Sequence, residues 1–254
     1  MTKIAYSEIE AFFATKVNGV HRFNSEDFLR LEAEEKLFHL GQGNGLLDFG
    51  CGSADLLVYY ASRFVNAYGV DLSDNMLDHA RVRVSSFGVA NVKLMKADDM
   101  TVWKELGNVH LDVITTAAVM QYFTVDQISR FLDHGKKVLK DDGRFAFFDL
   151  VDPNVYWMFK YNFYSPDRPL VRNIPIGLWS ALKVGIKTSL ALLKGKSFDF
   201  NASLGNTHLP GAISDLAQRH GMECQIIRSM YYEYRFHAIL TKRPAQASRP
   251  TSEC

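Results

Sequence analysis

From about residue 44 onward the chain alternates short apolar runs with longer segments whose apolar positions recur at helical spacing. Residues 45–49 read as a strand, 54–64 as a helix and 66–70 as a second strand. Ser73 can cap a helix running to about 84, and 91–96 is again strand-like. A fourth strand is expected at 111–115 and a helix at 125–139. A fifth strand at 144–150 follows the Asp142-Gly143 turn. Strands separated by helices of this length need crossover connections, which predicts a mainly parallel sheet. Residues 1–40 read as helical. Asn24 or Ser25 caps a segment with Glu26 and Asp27 in its first turn, and Gly41-Gln42-Gly43 ends it. Between 151 and 207 the regular pattern stops. Tyr156, Trp157, Phe159, Tyr161, Phe163 and Tyr164 crowd together there, ahead of an apolar-basic segment at 174–196. Periodicity resumes with a helix at 210–220, a stop at Gly221, and strands at 223–227 and 232–241. Two strands so close in sequence predict a hairpin, giving the sheet an antiparallel edge.

Chemistry concentrates at two strand ends. The stretch LLDFGCGSADLL, from Leu46 to Leu57, runs from an apolar strand into an acid, Asp48, and then two glycines, Gly50 and Gly52. A second apolar run, in YGVDLSDNML, ends in Asp71. Glycines at such a turn remove side-chain bulk so that backbone can approach a ligand, and an acid ending the next strand can accept from ribose hydroxyls. A nucleotide-like ligand fits this order of residues.

Composition narrows the partners. The 254 residues are 47% apolar and 22% charged, ordinary values for a soluble globular protein. A formal charge of +1 offers no basic excess for a polyanion, so no nucleic-acid partner is expected. Cys51, Cys224 and Cys254 are odd in number and widely spaced, which reads as reduced thiols rather than a disulfide frame or metal site. The start MTKIAYSEIE lacks a basic-then-apolar signal pattern, and no apolar stretch is long enough to cross a bilayer. A cytoplasmic protein is the expectation.

These residues resemble a class I S-adenosylmethionine-dependent methyltransferase of the small-molecule type, strongly over 45–150 and by strand pattern over 208–241. The resemblance implies an α/β fold: a Rossmann-like, seven-stranded, mainly parallel sheet with an antiparallel terminal hairpin and helices on both faces. N-terminal helices and a helical, aromatic insert would act as a lid. One methyltransferase domain would span 1–242, comprising an N-terminal cap (1–43), a cofactor-binding core (44–150), a substrate-lid insert (151–207) and a terminal helix with hairpin (208–242). The polar tail 243–254 is expected to be disordered.

The implied cofactor is S-adenosyl-L-methionine. Asp48, Gly50 and Gly52 would support its methionine part, Asp71 its ribose, and Leu72 its adenine, with Met76 in the same set. Asp98, beside Asp99 and Met100, would take the adenine amino group. The loop from Thr116 through Gln121 to Tyr122 would line the transferable methyl, and Arg30 could reach the cofactor carboxylate. VLKDDGRFAFFD also resembles the family's approach to the fifth strand. Ala54 stands where the family often has a third glycine, a small departure. A nicotinamide or flavin enzyme is the nearest rival, but its third glycine position holds Asp55, whose charge would repel a pyrophosphate. A binding protein that keeps the fold without catalysis is the third reading.

Absent motifs shape the acceptor. The loop TTAAVMQY has no Asn/Asp-Pro-Pro-aromatic run, Pro-Cys occurs nowhere, and Thr115-Thr116 stands where metal-dependent members carry an acid. A small organic acceptor at oxygen or nitrogen, with no metal, is the expectation. A hydroxyl acceptor needs help losing its proton, for which Tyr122, Asp149 and His208 are the candidate catalytic residues. Each has a plainer reading: Tyr122 as packing, Asp149 as a turn cap, His208 as a surface histidine, Arg30 as a solvated helix residue and Cys51 as merely small. Lys183, Lys187 and Lys194 lie near one face of an expected helix whose other positions are Leu182, Ile186, Leu190 and Leu193. That pattern reads as an amphipathic helix on the lid, with membrane-surface contact for a lipid-like substrate as the alternative.

Overall fold

The computed structural model describes residues 25–163, 170–193 and 206–243. Helix α1 (Glu26–Leu40) starts where Ser25 Oγ accepts from the Phe28 amide, and Gly41, at φ +74°, ends it. Then come β1 (Gly43–Phe49), α2 (Leu57–Tyr60), β2 (Phe64–Asp71), α3 (Asp74–Ser86), β3 (Val92–Lys96), α4 (Val102–Leu106) and β4 (Leu111–Ala117). After β4 follow α5 (Val125–Val138), β5 (Leu139–Val151), α6 (Pro153–Lys160), α7 (Leu170–Leu193), α8 (Pro210–Arg219), β6 (Met222–Arg228) and β7 (Arg235–Lys242). No helix among the described residues is long and apolar enough to cross a membrane.

The seven strands form one sheet in the order β3-β2-β1-β4-β5-β7-β6. Strands β1 to β5 pair in parallel, and β7 runs antiparallel to both β5 and β6. The terminal hairpin is therefore present, but its reversed strand is interior and the outer strand, β6, is the edge. Burial explains the arrangement. Residues 235–240 of β7 are all buried and need cover on both sides, whereas most of β6 is partly or fully exposed and tolerates an edge.

Alternate side chains divide the core. Leu47, Ile114, Phe145, Phe147 and Leu240 face a layer containing Phe131 of α5 and Leu216 of α8. Leu46, Val113, Ala146, Phe148 and Ile239 face Ala33 of α1, Leu57 of α2 and Ala80 of α3. Helices thus cover both faces.

Three boundaries differ from expectation. The helix foreseen at 54–64 shrinks to α2 plus a 3-10 turn, Ala61–Arg63, because Ala54 adopts a left-handed φ of +61° and Phe64 already pairs with Gly43. Strand β5 begins at Leu139, and its register against β4 breaks between Leu139 and Arg144. Strand β7 begins at Arg235, because the Arg235 amide closes a turn onto the Tyr232 carbonyl. In the insert after β5, Asp152 caps α6 through the Asn154 amide. Lys183 lies exposed with its ammonium 5.1 Å from the Trp179 ring. Tyr164, Lys194, the segment 1–24 and the tail beyond 243 fall outside the described residues, as do the side chains of Lys187, Leu190 and Leu193.

Candidate cofactor and acceptor site

Apart from Arg30, the predicted cofactor residues gather at the carboxyl edge of the sheet. The chain leaving β1 turns sharply, with the amides of Gly50 and Cys51 both donating to the Val70 carbonyl at 2.7 and 2.9 Å. Gly50 holds φ +75° and Gly52 +56°, conformations that glycine adopts without steric cost. A Cβ on Gly50 would lie 2.3 Å from Val119 Cγ2, so the loop after β4 packs directly on this turn. Cys51 is buried, and burial followed by the charges of Asp71 and Asp48 pushes its thiol well up, which leaves it inert. Asp48 is buried at the end of β1, and Asp55 accepts from Ser53 Oγ at 2.8 Å and lies 3.4 Å from Arg83 Nε.

Asp71 is set by its neighbours. Its Oδ2 accepts from the Gly52 amide and its Oδ1 from the Ser73 amide, each at 2.9 Å. Burial raises its pKa despite these bonds and one from the Leu72 amide. Ser73 Oγ then accepts from the Met76 amide and opens α3, with the Met76 side chain buried. After β3, Asp98 Oδ1 accepts from the Met100 amide (3.0 Å), the Thr101 amide (2.7 Å) and Thr101 Oγ1 (2.7 Å). Burial alone would raise this carboxyl, but those bonds outweigh it and hold the pKa below the usual value. Asp99 is buried next to it, and its carbonyl accepts from Trp103 Nε1.

The loop after β4 carries buried polar atoms. Thr116 Oγ1 and Gln121 Oε1 are buried with no hydrogen-bond partner among the described residues. Buried polar atoms are ordinarily satisfied, so each of these calls for a partner beyond the described residues, whether water or a ligand's polar group. Non-glycine residues with positive φ also collect at this edge: Ala54, Ala118 and Asp149 at +61°, +58° and +61°. Such backbone costs energy and clusters at functional sites.

Three predicted residues are placed otherwise than expected. Arg30 lies on the exposed face of α1, paired with Glu34 at 2.9 Å, because its helical phase turns it away from the sheet. His208 is buried, not superficial. Its Nε2 donates to the Met120 carbonyl at 2.9 Å, and its ring also meets the Phe123 carbonyl, so main-chain oxygens hold the ring in place. Burial lowers its pKa against the pull of those carbonyls. With Asn206, whose amide reaches the Gln121 carbonyl, and with its own amide on Val151, His208 staples the loop after β4 to the end of β5. Asp149 is buried and its Oδ2 lies 3.2 Å from Lys36 Nζ, so its charge is compensated from α1 rather than offered to an acceptor.

That last pair belongs to a network the sequence did not disclose. Lys36, 0% exposed, also donates to Glu32 Oε1 at 2.9 Å, and Tyr232 Oη approaches Glu32 Oε2 at 3.5 Å. The Asp149 amide donates to His237 Nδ1 at 3.1 Å, which leaves His237 Nε2 to carry the proton toward Glu35 Oε1, also at 3.1 Å. Burial alone would raise Glu35, but the His237 bond, the Met230 amide and the Lys36 charge hold it below its usual value. A Glu32–Lys36 spacing reads from sequence as an ordinary surface helix pair, so no local signal exposes its burial. The run YYEYRF is the one sequence hint to the remaining group. Tyr232, Tyr234 and Arg235 stand at this same edge, where Tyr122 feels the Arg235 charge and burial pushes its phenol up.

Residues 46–143 match the family model described as a methyltransferase domain. The chain carries a methyltransferase domain of the class I fold. The matched span begins within β1 and ends within β5, so it encloses Asp48, Gly50, Gly52, Asp71, Asp98 and the loop after β4.

Relatives of the domain agree. An uncharacterised methyltransferase of Synechocystis is 25% identical over 154 residues, covering 61% of this chain and 66% of that protein. The demethylmenaquinone methyltransferase of Listeria monocytogenes is 25% identical over 173 residues, covering 65% of this chain and 71% of that protein. Two solved structures share the fold at 14% identity: magnesium protoporphyrin IX methyltransferase from Synechocystis with bound SAH, and an S-adenosylmethionine-dependent methyltransferase from Clostridium acetobutylicum. Each superposes with a TM-score of 0.59 over 94% of this chain, covering 100% and 99% of the respective structures.

Proposed function

We propose that the protein transfers a methyl group from S-adenosylmethionine to an oxygen or nitrogen of a small organic acceptor. The observation that carries this reading is the Asp71 carboxylate, fixed from both sides by the Gly52 and Ser73 amides beside a turn free of side-chain bulk. When bound, the cofactor supplies an electrophilic methyl on a sulfonium, and its leaving group departs neutral.

The protein's part is then alignment and exclusion of water. Asp71 accepts the ribose hydroxyls, and Asp98 meets the adenine end through the oxygen its own loop does not use. Gly50 and Gly52 admit the methionine part against backbone, with Asp48 behind them. Thr116 and Gln121 offer their unpartnered oxygens to its polar atoms. With Asp149 held by Lys36 and His208 held by main-chain carbonyls, the acceptor arrives with its nucleophile competent, as a neutral amine or an oxygen already deprotonated. Tyr122 lines its approach.

Relatives named for a quinone and for a porphyrin support a small organic acceptor. The aromatic wall supports a ring-bearing one, since Tyr156 and Phe159 pack against Tyr234 with centroids 5.5 and 5.1 Å apart. A membrane-surface contact of α7 is a second reading, favoured by its exposed Leu178, Trp179, Leu182 and Ile186. Thermal melting tests the main reading. S-adenosylmethionine should raise the melting temperature of the wild type and NAD should not; stabilisation by NAD alone would overturn it.

A further inference from the structure

Arg235 is the first residue of β7 and pairs with Val151 at the end of β5, which puts it on the carboxyl edge of the sheet. It is 2% exposed. Its guanidinium carbon lies 4.9 Å from the Tyr232 ring centroid and 5.4 Å from that of Tyr234, so two aromatic faces hold the cation. Yet its Nε and Nη2 are buried with no hydrogen-bond partner among the described residues. Keeping a buried guanidinium without an acceptor is costly, several kcal/mol by general estimates of about that size.

Nearby carboxylates of the chain serve other cations. Asp152 pairs with Arg228 at 2.8 Å, Asp149 lies 3.2 Å from Lys36, and Glu32 accepts from Lys36 at 2.9 Å. Nor is the cofactor's own carboxylate the natural partner. Three strand spacings separate β1, whose turn receives the methionine part, from β7, a distance of about 14 Å. Instead Val151, its partner across the ladder, accepts from the His208 amide, and His208 Nε2 reaches the Met120 carbonyl, on the loop after β4 that also carries Tyr122.

Nε and Nη2 together form the side-on fork of a guanidinium, whose parallel N–H bonds match the two oxygens of a carboxylate. We propose that Arg235 selects the methyl acceptor, its Nε–Nη2 edge taking a carboxylate that the acceptor carries, with Tyr232 and Tyr234 fixing the fork in place. The assignment rests on the methyl-transfer reading above and adds to it the chemical class of the acceptor. The aromatic rings of Tyr234, Tyr156 and Phe159 extend the same wall and suit a carboxylate borne on a ring.

Isothermal titration of the full chain saturated with SAH tests it, using benzoate, its neutral isostere benzamide, and phenyl phosphate as probes. Benzoate should bind the wild type at least about tenfold more tightly than benzamide, the size expected for one charge-assisted hydrogen bond. Arg235→Met should lose that preference while binding SAH like the wild type. Arg235→Lys should keep a weakened preference, since it retains the charge without the fork. Equal binding of benzoate and benzamide by the wild type, or an undiminished preference in Arg235→Met, overturns the assignment. Tighter binding of phenyl phosphate overturns the carboxylate in favour of a phosphoryl group. If Arg235→Met does not fold, the wild-type comparison and Arg235→Lys decide. Failure of the wild type to bind SAH overturns the methyl-transfer reading itself, whereas SAH binding without a benzoate preference removes only the role of Arg235.

Discussion

The Gly52 amide donates to Asp71 Oδ2 at 2.9 Å, which ties the turn after the first strand to the acid ending the second. The turn and the carboxylate proposed to bind the ribose are therefore positioned together. Asp71→Ala should abolish the rise in melting temperature produced by SAH. At a ligand concentration a hundredfold above the dissociation constant, the rise lost corresponds to about 2.7 kcal/mol. A variant that keeps the wild-type rise would remove Asp71 from the site.

Gly50 is constrained twice over, by its φ of +75° and by Val119 Cγ2 at 2.3 Å from any Cβ. Gly50→Ala should cost about 1–3 kcal/mol in urea unfolding and weaken cofactor binding. Adding Val119→Ala should recover the steric part and leave the backbone part. A double variant no better than the single one would show that backbone strain alone sets the cost.

Lys36 compensates Glu32 and Asp149 in the interior. Lys36→Met should lose about 3–5 kcal/mol, because two buried carboxylates then face each other without a cation. Chemical denaturation measures this directly, and a loss under about 1 kcal/mol would show that the cluster is solvated in solution.

Acid should act in two stages. His208 and His39 have lowered pKa values, chiefly through burial. Their contribution is fully present above the unfolded value of about 6.5 and is lost as pH falls through the lowered folded values. Glu35, Asp98 and Asp112 are lowered too, so theirs is present above the ordinary carboxylate range and lost below it. Melting temperature should fall first below about pH 6.5, and again below about pH 4. His208→Gln should flatten the first fall. An unchanged profile would show that His208 stays neutral throughout.

The residues proposed to hold the cofactor were legible because each sits at the end of a strand or in the turn after it, a short distance along the chain. Asp48, Gly50, Gly52 and Asp71 stood out from a strand-turn-helix reading, and Asp98 from the family resemblance. The residues around the proposed acceptor side are brought together by long-range contacts instead. Nothing local distinguishes Lys36, buried against Asp149, from Arg30, exposed beside Glu34, since both belong to helical acid–base pairs of the same spacing. Arg235 is placed at this edge only by the position of β7 between β5 and β6, which pairs it with Val151 at the end of β5. His208 was misjudged for a related reason: its partners are the carbonyls of Met120 and Phe123, and main-chain atoms leave no trace in residue type.

The place of β7 has a consequence for synthesis. The last strand to leave the ribosome fills an interior position, so a nascent chain that already holds β1 to β5 still shows the open flank of β5. Until residue 242 emerges, that flank can pair with another chain. Assembly of this domain finishes from its carboxyl end, and the interval before it finishes is when misassembly with a neighbouring nascent chain is easiest.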